Sequence, residues 1–344
     1  MNKMARTTVA FLAGLVAIAA IGSVAVAGQA DSRDVNGTIW AANRGTNTIR
    51  GFDAATGSVV ASVAMAAGSQ PGDLAYAKGK LYVSEEFGSP PAIAIVDAGT
   101  GEVLKRIAMP AGSRPHHVHA SVGGNLVSVG LYGTDMVAVV DTLTDTLLGP
   151  WDTDPTSTNG RAHAGVFSKN GQTLYVASDA TGKLIALDPR TGELFWSADV
   201  PNAHELAVTH DGKTAYVTGR VANTLRIVDL EQHIVTGNVS LGSNTLPDTL
   251  QLSANEKLLT VGLRTTPAQV AIIDTATFDY EIVTIGGAGT IAGHQLTSPN
   301  GHFTFAAFEG PAAGVAVVDH QQDNAIVQTL DYPGRPHGVD FARP

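Results

Sequence analysis

Cysteine is absent from all 344 residues. That excludes disulfides, thiolate metal ligands, a cysteine nucleophile, haem attachment through a Cys pair and a lipidated cysteine anchor. Positive charge is scarce as well. Lys and Arg number 21 against 31 Asp and Glu, a net charge of −10. Nucleic acids and anionic membranes are held by clustered Lys and Arg, so neither is expected as a partner. The familiar catalytic signatures are also missing. There is no Gly-x-Ser-x-Gly elbow, no P-loop, no dinucleotide glycine motif after a strand–helix pattern and no His-Glu-x-x-His helix.

Long apolar runs are limited to the N-terminus. Lys3 and Arg6 precede an apolar stretch from Val9 to Ile21, followed by Ala25-Val26-Ala27 and Gly28-Gln29-Ala30. This run is shorter than the roughly 20 residues a membrane span needs, and the small residues fit a signal-peptidase site. Residues 1–30 are therefore expected to be a cleaved signal peptide. Residues 31–344 should then form a single domain, periplasmic or secreted, monomeric and without a membrane span. Removing Lys3 and Arg6 leaves 19 basic against 31 acidic residues, or −12. Without disulfides, such a domain must be held by burial alone, and its length is ample for that.

What the chain has is glycine, 38 residues of it, and a repeat. The clearest unit runs Thr173-Leu-Tyr-Val-Ala-Ser178, Lys183-Leu-Ile-Ala-Leu-Asp188, Glu193-Leu-Phe-Trp196 and His204-Glu-Leu-Ala-Val208. Each piece is a short run of β-formers bounded by Gly, Asp, Asn or Pro, giving four strands per unit. A strand ending in Asp recurs at Asp53, Asp97, Asp141, Asp188, Asp229, Asp274 and Asp319, in steps of 44, 44, 47, 41, 45 and 45. These seven aspartates read as turn formers, because Asp can bond the backbone two residues on. Seven four-stranded units of this length imply an all-β, seven-bladed propeller. The chain begins at a second strand, Thr38 to Ala42, and ends at a first strand, His337 to Phe341. The C-terminal strand should therefore close the first blade.

A second register is chemical. Its positions are Gly72, His116, His163, His204, Asp248, His294 and His337, in steps of 44, 47, 41, 44, 46 and 43. Five of the seven are His, in a chain with only 11 His. Each opens the innermost strand of its blade, beside the central channel. The residue two further on is nearly always apolar (Leu74, Val118, Leu206, Leu250, Leu296, Val339) and should pack between blades. The residue three further on (Ala75, His119, Val166, Ala207, Gln251, Thr297, Asp340) should lie one layer down the channel.

Lys80-Leu-Tyr-Val-Ser84, Thr173-Leu-Tyr-Val-Ala-Ser178 and Thr214-Ala-Tyr-Val-Thr-Gly219 resemble the Tyr-Val-Thr-Asn repeats of the YVTN β-propeller family. The resemblance covers nearly the whole mature chain. It implies an exported seven-bladed propeller. It does not specify an activity, since that family includes surface-layer proteins, binding proteins and domains of redox enzymes.

The site expected from the register is a ring of imidazoles, His116, His163, His204, His294 and His337, with Asp248, converging on the axis. Neutral imidazole is a common ligand of divalent transition metals, here Zn, Cu or Fe. Such ligands need acceptors to fix their tautomers, for which Glu205, Gln295 and Asp340 are candidates. His117 is ambiguous: it is adjacent to the ring, yet strand alternation turns it away from His116, and it stands with His119 as a possible member of a second layer. Loops between second and third strands bring Arg44, Glu86, Tyr132, Asp179, Arg220, Arg264 and Glu309, a mixed-charge rim suited to a small polar ligand or simply a solvated surface. His210, His233, His302 and His320 read as surface turns. Three functional classes follow: a metal-binding or metal-delivering protein, a metal-dependent enzyme, and a metal-free propeller acting as a lactonase-like hydrolase or a ligand- or protein-binding scaffold. A polar ring at a channel mouth can also be purely structural, bonding water and backbone.

Overall fold

The computed structural model describes residues 33–154 and 161–343. The expected signal peptide, residues 1–30, lies outside the described residues. Among these residues the only helix is a 3-10 turn at His320–Gln322. Among the described residues no helix is long and apolar enough to cross a membrane.

Short β-rich runs cut by Gly, Asn and Asp turns form seven antiparallel sheets arranged as the blades of a propeller. Blade 1 is built from Pro336–Ala342, Thr38–Asn43, Thr48–Asp53 and Val59–Ala64, innermost to outermost. The C-terminal strand pairs with the N-terminal one, Ile39 opposite Phe341 and Trp40 opposite Asp340. This is the closure expected from the sequence, and it leaves the ring without an unpaired inner edge. Blades 2 to 7 follow in chain order, with innermost strands Pro71–Ala77, Pro115–Ala120, Ala162–Phe167, Ala203–Val208, Pro247–Leu252 and Ile291–Thr297. In blade 3 the outermost strand is broken into Thr146–Leu147 and Trp151–Asp152, both paired with Met136–Asp141.

Burial follows from this arrangement. Each blade presents an apolar face to its neighbours, and the buried apolar residues fall into clusters that straddle adjacent blades. Trp40 and Ile49 of blade 1 pack with Leu81 and Val83 of blade 2. Phe303 and Phe305 of blade 7 pack with Ile39, Phe52 and Phe341 of blade 1. Each fully buried side chain of this size contributes about 1.5–3 kcal/mol, so the ring is held chiefly between blades.

All seven turn aspartates do what the sequence implies. Each caps the turn after its third strand by accepting from backbone N–H groups two or three residues on, as Asp53 does from Thr56 and Asp229 from Glu231 and Gln232. The chain direction puts these turns on the face opposite the one where the innermost strands begin.

One local feature was not read from the sequence. Innermost strands carry a register shift just after the chemical position, as between Pro115 and Val118, Ala203 and Leu206, and Ala292 and Gln295. The residue before the strand is often left-handed: Gln70, Arg114, Arg161, Asn202 and Leu246 have φ between 46° and 60°. A bulge puts two consecutive residues against one partner residue and breaks alternation.

Candidate functional site

The bulge decides what the site is. Across it, both His116 and His117 face the channel, with ring centroids 4.6 Å apart. The sequence leaves His117 ambiguous, beside the ring but turned from His116 by alternation; strict alternation does not survive the extra residue, and His117 joins the cluster. His117 is 2% exposed and sits at the centre of the imidazoles. Its ring lies 4.1 Å from that of His163 and 4.2 Å from that of His294. The same shift in other blades turns Asp73, Glu205, Thr249 and Gln295 inward as well. Asp73 escaped the sequence reading, although the position after each register residue (Asp73, His117, Ala164, Glu205, Thr249, Gln295, Gly338) is polar often enough to have pointed to it.

The five register histidines do converge. His116 lies 5.1 Å from His163, His163 stacks on His204 at 3.7 Å, and His294 lies 4.8 Å from His337. Close approach of blades makes this possible. A Cβ on Gly293 would fall 2.6 Å from the His337 carbonyl oxygen. Where blade 2 has Gly72 in place of His, the Arg44 guanidinium fills the gap, 3.1 Å from where a Cβ would stand.

The mixed-charge rim is built into the mouth rather than lying on it as a solvated surface. Glu86 and Glu309 are 2% and 7% exposed. Glu86 takes Arg44 at 2.9 Å and Arg114 at 2.6 Å, with His116 at 3.5 Å. Glu309 takes Arg335 at 2.8 Å and His337 Nδ1 at 2.7 Å. His204 Nε2 lies 2.7 Å from Asp248, which also meets Arg220 at 3.2 Å and Arg264 at 3.7 Å. Tyr132 donates to Asp179 at 3.0 Å, and Asp179 lies 3.6 Å from His204. His204, His337 and Asp248 are thus engaged with charged partners, and none of the candidate ligand groups includes them.

The acceptors for the other imidazoles differ from those expected. Glu205 does serve: it pairs with His117 Nδ1 and lies 3.5 Å from His119 Nε2. Gln295 instead bonds Thr249 and the Thr260 carbonyl, and Asp340 accepts from the Tyr76 backbone N–H. Both are used up by the scaffold. Asp73 holds His294, its Oδ1 3.1 Å from Nδ1. His294 Nε2 and His163 Nδ1 are buried without a hydrogen-bond partner.

The electrostatics divide the cluster in two. Burial, reinforced by neighbouring imidazoles, holds His117 and His163 well below the usual imidazole pKa. His116 is also lowered, by burial against the opposing pull of Glu86, and His337 by burial and Arg44. Burial would lower His204 too, but Asp179 and Asp248 lift it to about 9. Burial likewise opposes ionisation of Glu86, yet His116, Arg44 and Arg114 hold its carboxyl at about 2. His116, His117 and His163 are thus favoured neutral, whereas His119 is raised, burial being outweighed by Glu205 and the neighbouring carboxylates.

Among the described residues three groups of side chains bring one donor atom each within 4.8 Å of one another: His116, His117 and His163; Asp73, His117 and His294; His117, His119 and Glu205. His117 belongs to all three. Beneath them lies a cavity of about 540 Å³, lined by His117, His119, Asp73, Glu205, His294 and Asp340 among others. His119 and Asp340 stand one layer down, as expected. Burial raises the Asp340 carboxyl to about 6. The four histidines expected at surface turns, His210, His233, His302 and His320, lie there: His320 bonds Thr304 and Asn324, and His233 stacks on Trp196.

A propeller-type repeat family, described as outer membrane protein assembly factor BamB, matches residues 133–240. No curated protein matches the chain in sequence. Among solved structures, a periplasmic gluconolactonase, PpgL, from Pseudomonas aeruginosa is 20% identical with a TM-score of 0.69, covering 90% of this chain and 99% of its own. A putative 6-phosphogluconolactonase from Bacteroides uniformis is 17% identical with a TM-score of 0.67, covering 89% and 100%. Dihydro-heme d1 dehydrogenase NirN in complex with DHE is 13% identical with a TM-score of 0.64, covering 90% and 76%. At these identities the likeness is one of fold.

Proposed function

We propose that this propeller is an exported protein that binds one divalent transition metal ion of the Zn, Cu or Fe class around His117, with a coordination position facing the cavity. The observation that carries this reading is a set of buried imidazole nitrogens without a hydrogen bond, His294 Nε2, His163 Nδ1 and His119 Nε2 among them, beside a histidine shared by every candidate ligand group. Buried polar atoms are normally satisfied, and an imidazole whose other nitrogen faces a carboxylate is the common form of a metal-ligating histidine. His294, with Asp73 at its Nδ1, has that form. Burial and crowding favour the neutral form of His116, His117 and His163, which is the protonation state that ligates.

A bound metal would supply Lewis-acid polarisation of a ligand in the cavity. The chain's own residues do the rest. Glu205 fixes the ring of His117. Asp73 fixes that of His294. His119, 30% exposed at its side chain, stands at the cavity end of the cluster within reach of a guest. A cavity meeting a partly open donor set suits chemistry on a small ligand better than a closed carrier site. A second reading, a lactonase-like hydrolase working in the same cavity without metal, has the cavity and the likeness of fold behind it.

Calorimetric titration with Zn²⁺ separates the two. The intact chain should bind close to one equivalent, and His117→Ala should abolish that binding. His320→Ala, altered at an outer turn, should bind like the intact chain. Equal binding by the intact protein and His117→Ala would refute the metal reading.

A further inference from the structure

The cluster has two ends, and they differ in charge and in openness. At the end where the innermost strands begin, six arginines meet the rim: Arg44, Arg114, Arg161, Arg220, Arg264 and Arg335, paired with Glu86, Asp179, Asp248 and Glu309. Below that rim the imidazoles are nearly closed off, His163 at 2% and His204 at 0% exposed. At the other end the cavity reaches past Ala207 and Val166 to the turn residues Ser121 and Val122. This is the face of the seven capped turns, each carrying an Asp.

The cavity wall is sorted in the same sense. Asp73, Glu205 and Asp340 line it, and its only Lys and Arg, Lys78 and Arg343, are exposed residues at the turn end. A phosphate or carboxylate moving inward meets three carboxyl groups and no deep cation to receive it. A divalent cation meets increasing negative charge and then the group His119, Glu205 and His117, which faces the cavity.

We infer that the channel is a cation-selective vestibule: metal ions reach His117 from the aspartate-bearing face, are first held by His119 and Glu205, and do not pass the arginine rim. This rests on the metal reading above and adds the route, the first contact and the exclusion of anionic guests from the cavity.

The lack of native cysteine permits a direct test on the folded full chain. Val166→Cys puts a single thiol on the cavity wall, and Arg161→Cys puts one on the rim. Each is labelled after folding, once with a methyl and once with a bulky aromatic thiosulfonate. Co²⁺ uptake is then followed by absorbance. Blocking the route should slow uptake markedly in bulky-labelled Val166→Cys only, with recovery when a reductant removes the label. Bulky-labelled Arg161→Cys should take up Co²⁺ at the rate of its methyl-labelled form. Ala207→Cys, on the same wall, replaces Val166→Cys if that variant does not fold. Slowing at the rim without slowing in the cavity overturns the route while leaving the metal reading intact. Failure of the unlabelled chain to bind Co²⁺ at all overturns both.

Discussion

His117 and His116 are consecutive in a strand, and alternation assigns consecutive residues to opposite faces. The register shift between Pro115 and Val118 cancels that assignment. At the scale of single residues this is the step that makes a metal centre from a row of histidines. His116 alone would meet Glu86 and Arg44 and join the charged rim. His117 instead reaches a carboxylate, Glu205, and two imidazoles with unbonded nitrogens. Glu205 then acts mainly through other groups, by orienting His117 and His119. Glu205→Gln keeps the size and removes the charge. It should weaken Zn²⁺ binding about 10- to 100-fold, the usual cost of losing a supporting carboxylate, while His117→Ala abolishes it. Calorimetry on both variants checks the ranking. Equal affinity of Glu205→Gln and the intact chain would mean that Glu205 does not support the site.

The register histidines were legible because seven copies of one strand start put them at steps of 41 to 47 residues. Of the carboxylates that serve them, Glu205 was legible as an acceptor and Glu86 and Glu309 as rim residues, but Asp73 was missed and the partners of Glu86 and Glu309 were not legible. Asp73, Glu86 and Glu309 reach their partners across blades, and sequence spacing carries no sign of which loop folds over which neighbour. Gln295 and Asp340 were chemically suitable acceptors, but backbone groups and Thr249 had taken them.

At the scale of elements, the strand that closes the ring is where stability and site meet. Pro336–Ala342 carries His337 and pairs with Thr38–Asn43. The segment leading into it is pinned by Tyr332, whose hydroxyl lies 2.8 Å from Thr48 Oγ1 and donates to the Thr48 carbonyl at 3.0 Å. Its ring packs edge-on to Phe52, with the Arg50 guanidinium 4.4 Å from its centre. Burial raises the Tyr332 phenol to about 12, against the opposing effects of Thr48 and Arg50. The folded pKa is then above the unfolded value of roughly 10. The phenol's contribution is fully present below pH 10 and is lost as pH rises through 12. Two units correspond to at most about 2.7 kcal/mol. Denaturant midpoints measured from pH 9 to 12 should fall more steeply for the intact chain than for Tyr332→Phe. Parallel curves would show that the phenol ionises freely in the folded state. The closure itself was legible, since the chain starts on a second strand and ends on a first. The bulges were not, because nothing in the local residue types distinguishes an extra residue from a continuing strand.

At the scale of the whole molecule, sevenfold repetition fixes the fold almost independently of function. The interblade clusters use the apolar positions, the turn aspartates use one face, and the strand starts use the other. Chemistry is left to the few positions that point at the axis. Repetition also sorts charge along that axis, with arginines at one mouth and aspartate turns around the other. A chain with a net charge of −10 therefore holds its cluster of imidazoles and carboxylates between an arginine-bearing rim and the face of the aspartate turns. The sequence showed the excess of acid but not its separation, because arginines and aspartates alternate along the chain and part company only when the blades close. The fold class, the ring closure and the axial position of the histidines follow from periodicity. The pivot of the site and its open side follow only from the register of the strands.

The central claim is that one metal ion sits against His117. Crystals of the full chain grown with Zn²⁺ and measured on both sides of the zinc absorption edge test it most directly. The account predicts a single anomalous peak about 2.0–2.1 Å from a His117 nitrogen, completed by donors from His163, His294 or the pair His119 and Glu205. A peak bound instead by His204 and His337, or no peak in the channel at all, would contradict it.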